Sequence, residues 1–227
     1  MKKTFFAVGV MTVIVSMLVS CSKGLSKKDM ALVEEFVKME LAYNALLNDC
    51  YENSYNQLED VLKSGKITSN GFEGYGSTPE EIIGAMETNV SNYEASYELL
   101  STETYEDIED LQTKITNDGT IESIYLDKIL KKAKEFSVVF SEFIPVKTAG
   151  SSKMWTFTEI NSGIEFSVTK KDDIIEVGST DKGQSKMDNV LKEQKDNVYD
   201  LYDDYQESVK QKNAEENYLW RALFGLS

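Results

Sequence analysis

The sequence predicts an α+β fold, mainly a bundle of about five helices with a small three-stranded antiparallel β-meander at about residues 153–178. Apolar residues recur every three or four positions along most of the chain, which is the period of an amphipathic helix. The period changes to two near residue 153 and returns to helical spacing from Ser185. Because a small sheet alone is marginal in water, we expect it to pack on the helices within one domain, residues 29–227.

The first helix is predicted over residues 29–64, where two neighbouring apolar stripes make a wide face. A wide apolar face indicates a helix that is packed by several neighbours. Cys50 lies in one stripe and is interpreted as a small, buried, apolar side chain. The stripes consist of Phe36, Met39, Tyr43, Leu46 and Cys50, and of Val33, Val37, Leu41, Tyr51, Tyr55, Leu58 and Leu62.

Residues 65–77 are predicted to form a loop, in which Phe72 and Tyr75 are interleaved with glycines. Aromatic side chains on a flexible loop are candidate contacts for a ligand. The same two rings also suit a loop that folds back onto the helical bundle, so both interpretations stay open.

The second helix is predicted to begin at a capping box between Thr78 and Glu81, with Pro79 in the first turn. Its apolar positions then repeat at helical spacing as far as Leu100. A third helix is predicted over residues 103–116, and the Asn-Asp-Gly turn that follows is expected to end it.

The fourth helix is predicted over about residues 121–143, because Pro145 cannot continue a helix. Beyond it, apolar and polar residues alternate in three short segments that are separated by turns at 161–163 and 170–173. This alternation is typical of an antiparallel sheet with one covered face. The predicted strands are residues 155–158, 164–169 and 174–177.

The last helix carries two candidate features. Tyr199 and Tyr202 alternate with acidic residues, a combination that suits the stacking and binding of a sugar, but Asp200 and Asp204 also lie one turn apart, as on a solvated helix face. Near the end of the chain, Trp220 belongs to an apolar patch that either caps the core or docks a partner. The patch consists of Tyr218, Leu219, Trp220, Leu223 and Phe224.

The first twenty residues have the pattern of a secretory signal peptide, with two lysines, an uncharged and mostly apolar run over residues 5–19, and a small residue before Cys21. The run has 15 residues, fewer than the roughly 20 that a membrane-spanning helix needs. The segment Leu18-Val19-Ser20-Cys21 resembles the lipobox of bacterial lipoproteins.

This resemblance implies that residues 1–20 are removed as the signal peptide and that the thiol of Cys21 carries a diacylglycerol. Residues 21–28 then form a short tether, and the membrane is a partner through the covalent lipid. Enteric lipoproteins that stay at the inner membrane carry aspartate after the cysteine. Ser22 stands there in this chain, which favours the outer membrane or the cell surface within the cell envelope.

Acidic residues dominate the chain, with 39 Asp and Glu against 24 Lys and Arg. Loss of Lys2 and Lys3 with the leader moves the net charge from −15 to near −17. This balance argues against nucleic acid as a partner, because phosphates need compensating basic residues. The chain has no histidine, so Ser-His-Asp catalysis and imidazole zinc sites are excluded. We therefore name no catalytic residue, metal site or cofactor.

The leading functional interpretation is a membrane-anchored envelope lipoprotein with a non-enzymatic role in binding or assembly, for which a protein in the envelope is a candidate partner. One alternative is a histidine-free hydrolase that uses paired carboxylates on glycans. Another is a solute-binding or inhibitory lipoprotein with a pocket between the sheet and the helices. The predicted site residues are Cys21 for lipid attachment, and Phe72, Tyr75, Tyr199, Tyr202 and Trp220 for contact with a ligand or partner.

Overall fold

The computed structural model describes residues 24–102, 109, 113, 120–148 and 150–224. These residues form four helices and six strands. The helices are α1 (Lys27–Ser64), α2 (Pro79–Thr102), α3 (Ile121–Ala133) and α4 (Asp181–Phe224). The strands are β1 (Lys66–Thr68), β2 (Gly71–Glu73), β3 (Ile144–Val146), β4 (Lys153–Glu159), β5 (Ile164–Lys171) and β6 (Ile174–Ser179).

The strands make two antiparallel sheets. The first is a two-stranded hairpin of β1 and β2, which directly follows α1. The second is a four-stranded meander in the order β3-β4-β5-β6. Its central register pairs Trp155 with Val168 and Phe157 with Phe166, so that these four buried side chains share one face of the sheet. That face packs against the first half of α1 and the start of α4.

The prediction of five helices and a three-stranded meander is wrong, because the described part of the chain has four helices and two sheets of two and four strands. The predicted third helix falls almost wholly outside the described residues. The helix predicted to reach residue 143 ends at Ala133, and the next residues supply the edge strand β3. Pro145 is tolerated there because an edge strand needs fewer ladder hydrogen bonds. The predicted loop at 65–77 also contains the β1–β2 hairpin.

Helix α1 belongs to both hydrophobic cores, because its two apolar stripes face different neighbours. Val33, Val37 and Leu41 pack with the sheet, and their exposed fractions do not exceed 8%. Further along, Tyr51 and Leu58 are buried with α2, α3 and α4. A single helix therefore joins the sheet end of the molecule to the helical end.

The start of α1 is fixed by a buried carboxylate. Ser26 and Asp29 form a reciprocal capping box, with distances of 3.1 Å and 2.6 Å between the backbone nitrogens and the side-chain oxygens. The ammonium of Lys170 in β5 bonds the same carboxylate at 2.6 Å. Burial raises the pKa of Asp29, but the bonds from Lys170 and Ser26 outweigh it and hold the pKa below its usual value. The helix start is therefore tied to the sheet.

The start of α4 approaches the sheet too closely for a side chain. A Cβ atom on Gly183 would lie 2.1 Å from the carbonyl oxygen of Glu165, so glycine is required at this contact. Thr180 caps the helix, since its hydroxyl accepts from the backbone N–H of Gly183 and lies within hydrogen-bond distance of the Glu165 carboxylate. The sheet therefore positions the beginnings of both α1 and α4.

Helices α1 and α4 run parallel, side by side. Tyr43 lies near Asp188, and further along Tyr51 lies near Tyr199. Beyond the end of α1, a serine of the β1–β2 hairpin donates to Glu216 near the far end of α4. At 1.5 Å per residue, the start of α1 and the end of α4 are about 70 Å apart. The two ends of the described chain therefore lie at opposite ends of the molecule.

Glu159 is the most deeply buried charged residue described, with an exposed fraction of 1%. Its carboxylate accepts hydrogen bonds from the backbone N–H groups of Val139, Asn161 and Ser162 at 3.1, 3.1 and 2.7 Å. Burial raises the pKa of this carboxyl, but the bonds from Ser162, Val139 and Asn161 outweigh burial and leave the pKa below its usual value. The ionised side chain therefore holds the β4–β5 turn against the segment after α3.

We expect Glu159→Gln to lower the free energy of unfolding at pH 7 by about 2 kcal/mol, because the amide nitrogen cannot accept the bonds that one carboxylate oxygen receives. Since the folded-state pKa is lowered, this contribution is present above pH 4.5 and is lost as the pH falls through the folded value. Urea titration at pH 7 and pH 3 measures both effects. Glu176→Gln on the exposed face of β6 is the control, and an equal loss in both variants would contradict the assignment.

Candidate functional site

The predicted lipid attachment site, Cys21, lies outside the described residues and stays a prediction. The first described residue is Gly24, three positions further along the chain. Gly24 has a φ of +131°, and a Cβ atom there would lie 3.0 Å from the ring of Trp155. Because Trp155 is buried in the large sheet, Gly24 lies at the sheet end of the molecule.

The opposite end of the molecule is the last part of α4. All residues from Lys210 to Phe224 are exposed, so this part of the helix lies beyond both hydrophobic cores. Its last described support is the hydrogen bond from Ser69 to Glu216, at 2.6 Å. We call residues 210–217 the stalk and residues 218–224 the tip.

The tip is apolar and uncovered. Leu223 has an exposed fraction of 78%, and the rings of Trp220 and Phe224 stack at 5.0 Å with exposed fractions of 59% and 63%. The expectation that this patch caps the core is wrong, because α4 continues past the hairpin and meets no partner among the described residues. The prediction that Trp220 contacts a ligand or partner is compatible with this exposure and stays a prediction.

The other predicted contact residues lie elsewhere. Phe72 packs between Gly65 and Gly74, where an added Cβ atom would come within 2.0 Å and 2.5 Å of its ring. Phe72 therefore folds back onto the hairpin and the end of α1. Tyr75 is fully exposed in the segment between the hairpin and α2.

Tyr199 and Tyr202 lie on α4, well before the tip. The Tyr199 hydroxyl donates to Glu87 of α2 at 2.7 Å; burial, and then this bond, raise the pKa of Tyr199 to about 12. The ring of Tyr202 lies 5.9 Å from that of Tyr205, whose hydroxyl donates to Glu80 of α2. This row of tyrosines ties α4 to α2, while the neighbouring aspartates Asp200, Asp203 and Asp204 are exposed.

The five predicted contact residues therefore do not form one site. Tyr202 and Trp220 are separated along α4 by about 27 Å, at 1.5 Å per residue. Phe72 and Tyr75 belong to the hairpin region instead. The structure brings Tyr199 and Tyr202 together and leaves Trp220 alone with its neighbours in the tip.

A polar cluster that sequence analysis missed lies where α1, α2 and β6 meet. The Tyr97 hydroxyl donates to the Glu40 carboxylate at 3.1 Å, and the Tyr43 and Tyr97 rings stack at 4.2 Å. Burial raises the pKa of Glu40, although hydrogen bonds with Ser179 and Tyr97 oppose it. One glutamate among 39 acidic residues carried no sequence signal, but its place beside the apolar positions Met39 and Leu41 could have suggested burial.

A half-buried carboxyl with a raised pKa is a candidate proton donor, and it is also a common structural device. Glu40 joins three elements through Tyr97 and Ser179, and the exposed acids Glu94 and Asp188 lie near the stacked Tyr43. The cluster therefore has a structural role that its hydrogen bonds already account for.

No protein-family model, curated protein or solved structure matches the chain. Among the described residues, no group of three or more Cys, Asp or Glu side chains is placed so that it could hold a metal ion. None of the four helices α1–α4 is long and apolar enough to cross a bilayer. The function is therefore inferred from the two ends of the molecule.

We expect Glu40→Gln to raise the free energy of unfolding at pH 8 by about 1 kcal/mol, because it removes a charge whose burial is unfavourable and keeps an acceptor for Tyr97. Because the folded-state pKa of Glu40 is raised, the wild type loses stability as the pH rises through that value. At pH 4 Glu40 is protonated in the wild type, so the advantage of the variant disappears. Thermal unfolding at both pH values measures the difference. The control is Glu52→Gln on the exposed side of α1, and a destabilised Glu40→Gln at pH 8 would refute the assignment.

Proposed function

We propose that the protein is a lipid-anchored protein of the cell envelope that holds a binding surface away from the membrane that carries it. Its role is binding or assembly rather than catalysis. The observation that supports this most directly is the parallel packing of α1 and α4, which separates the anchor end from the apolar tip by about 70 Å.

The short connection between the lipid anchor and α1 limits how the folded body can tilt on the membrane. Acyl chains on Cys21 contribute about 0.8 kcal/mol per buried CH₂ group, and two or three chains hold far better than one. The tether that follows is short, and α1 begins at a capping box that is bonded to Lys170 of the sheet. The folded body is therefore held close to the lipid surface, with little freedom between the tether and α1.

The charge of the body favours an upright arrangement. A net charge near −17 for residues 21–227 repels the anionic lipids of a membrane surface. Contact between the side of the molecule and an anionic bilayer is therefore electrostatically unfavourable. An upright body on a short tether would present the tip away from the membrane, at the outer membrane or the cell surface.

We expect Cys21→Ser to move the protein from the membrane fraction to the soluble fraction or to leave it as an unprocessed precursor, because no thiol remains for the acyl chains. Radiolabelled palmitate should label the wild type and not the variant. Fractionation of expressing cells, followed by immunoblotting, measures the distribution.

Cys50→Ser is a matched control, since Cys50 is the free cysteine of the described chain and its thiol has a pKa raised by burial. The control should keep both the label and the membrane location. Label on Cys21→Ser, or a processed Cys21→Ser chain that stays in the membrane fraction, would contradict the proposal.

A further inference from the structure

We propose that the tip, residues 218–224, inserts end-on into the surface of a lipid bilayer that faces the anchoring membrane. The facing arrangement rests on the proposed function, whereas the insertion of the tip rests on the tip itself. The protein would then bridge two lipid surfaces at a fixed separation.

The tip is apolar on nearly all sides of the helix. Successive residues are about 100° apart, so seven residues sample the whole circumference. Arg221 is the one charged residue among them. The six others are aliphatic or aromatic: Tyr218, Leu219, Trp220, Ala222, Leu223 and Phe224. A helical segment that is apolar all round suits a surrounding apolar medium rather than a partner on one side.

The length and composition of the tip match the boundary region of a bilayer. Seven residues span about 10 Å, which equals the depth of about 5–10 Å to which interfacial helices bury their apolar groups. Trp220 and Tyr218 combine an apolar ring with a polar group, as do the aromatic residues enriched at membrane interfaces. The long side chain of Arg221 can reach back to the headgroups.

A second copy of the chain or another protein is a poorer occupant. A stable protein interface uses about 20–30 residues and about 800 Å² from each partner. The tip has seven residues, and the stalk behind it, with the sequence Lys-Gln-Lys-Asn-Ala-Glu-Glu-Asn, offers no apolar stripe to extend the contact. A bilayer needs neither a large area nor a complementary shape.

The distribution of charge indicates what kind of lipid surface suits the tip. The tip contains no acidic residue, whereas Glu215 and Glu216 lie directly behind it and the mature chain carries a charge near −17. Anionic lipid therefore repels the molecule as it approaches, and insertion depends on apolar burial. We expect binding to uncharged phosphatidylcholine vesicles that persists at high salt.

The experiment uses the intrinsic fluorescence of Trp220. The chain has two tryptophans, and the other, Trp155, is 4% exposed and lies at the anchor end. Purified acylated protein is placed on donor vesicles that contain anionic phospholipid, and acceptor vesicles of phosphatidylcholine with brominated acyl chains, which quench tryptophan on contact, are then added. We expect a blue shift whenever acceptor vesicles are added, quenching when the acceptor lipid is brominated, and no quenching of Trp220 when only the donor lipid is brominated.

Two variants on α4 make a matched pair. Leu223→Ser removes an exposed apolar side chain from the tip, and Val190→Ser removes one near the start of the helix. Partitioning into acceptor vesicles should fall about tenfold for Leu223→Ser, as expected for the loss of one buried leucine, and stay unchanged for Val190→Ser.

Three results would overturn the proposal. Quenching by the donor lipid that Trp220→Phe abolishes would show that the tip lies on the anchoring membrane, since Trp155 remains in that variant. The absence of quenching by either lipid would show that the tip does not insert. A blue shift of Trp220 without acceptor vesicles, with dimers detected by cross-linking, would assign the tip to a second copy.

A failure of the anchor is detected separately. Flotation of the protein with donor vesicles, before acceptor vesicles are added, tests the lipid on Cys21. Full-length Cys21→Ser, mixed directly with brominated vesicles, tests the tip alone, because the leader of residues 1–20 contains no tryptophan. Quenching of Trp220 in that variant would support insertion even if the anchor were absent, and a lack of quenching would overturn insertion.

Discussion

The parallel packing of α1 against α4 is the constraint on which the rest of the structure depends. Helix α1 takes part in both hydrophobic cores, so it fixes the sheet and the helical region relative to each other. Helix α4 starts against the sheet at Gly183 and follows α1 to the β1–β2 hairpin. Because α4 has 44 residues and α1 has 38, and α4 continues past the hairpin, its end projects from the body. The separation of anchor and tip follows from this arrangement.

Three carboxylates show how the surroundings decide the role of one chemical group. Asp29 and Glu159 are buried but ionised, because an ammonium or several backbone N–H groups compensate their charge. Glu40 has hydroxyl partners only, so burial dominates and raises its pKa. The first two stabilise the folded state at neutral pH and the third opposes it. None of them depends on the apolar tip, so the stability of the body and the binding of the tip can be tested separately.

Local signals in the sequence predicted those parts of the structure that local interactions form. The capping box at Thr78 and Glu81 is confirmed, with both reciprocal hydrogen bonds present, and the end of α1 at Ser64 is confirmed. The alternating segments also became strands β4, β5 and β6. The capping box joins residues three apart in sequence, and the three strands are connected by short turns, so few distant contacts are needed to form them.

Features that depend on distant contacts escaped prediction. Phe140 and Phe143 continue the helical spacing of α3, but they pack against Phe157 in the sheet, and so the helix ends early. Residues 144–146 became a strand because β4 offers a free edge. The projection of the tip depends on how α4 is aligned along α1. The residues of the tip make no contact that sets this alignment, so their sequence could not predict it. The lipid on Cys21 and the contacts of the tip remain predictions for the same reason, since their partners lie outside the chain.

The most direct test of this account is the distance between its two ends, measured by pulsed electron paramagnetic resonance on spin labels. Labels at Lys27→Cys and Leu223→Cys, in a background with serine at positions 21 and 50, mark the start of α1 and the tip. Parallel packing predicts a single population at about 70 Å. A main population below about 40 Å would mean that the tip returns toward the anchor, and would contradict the arrangement on which the proposed function rests.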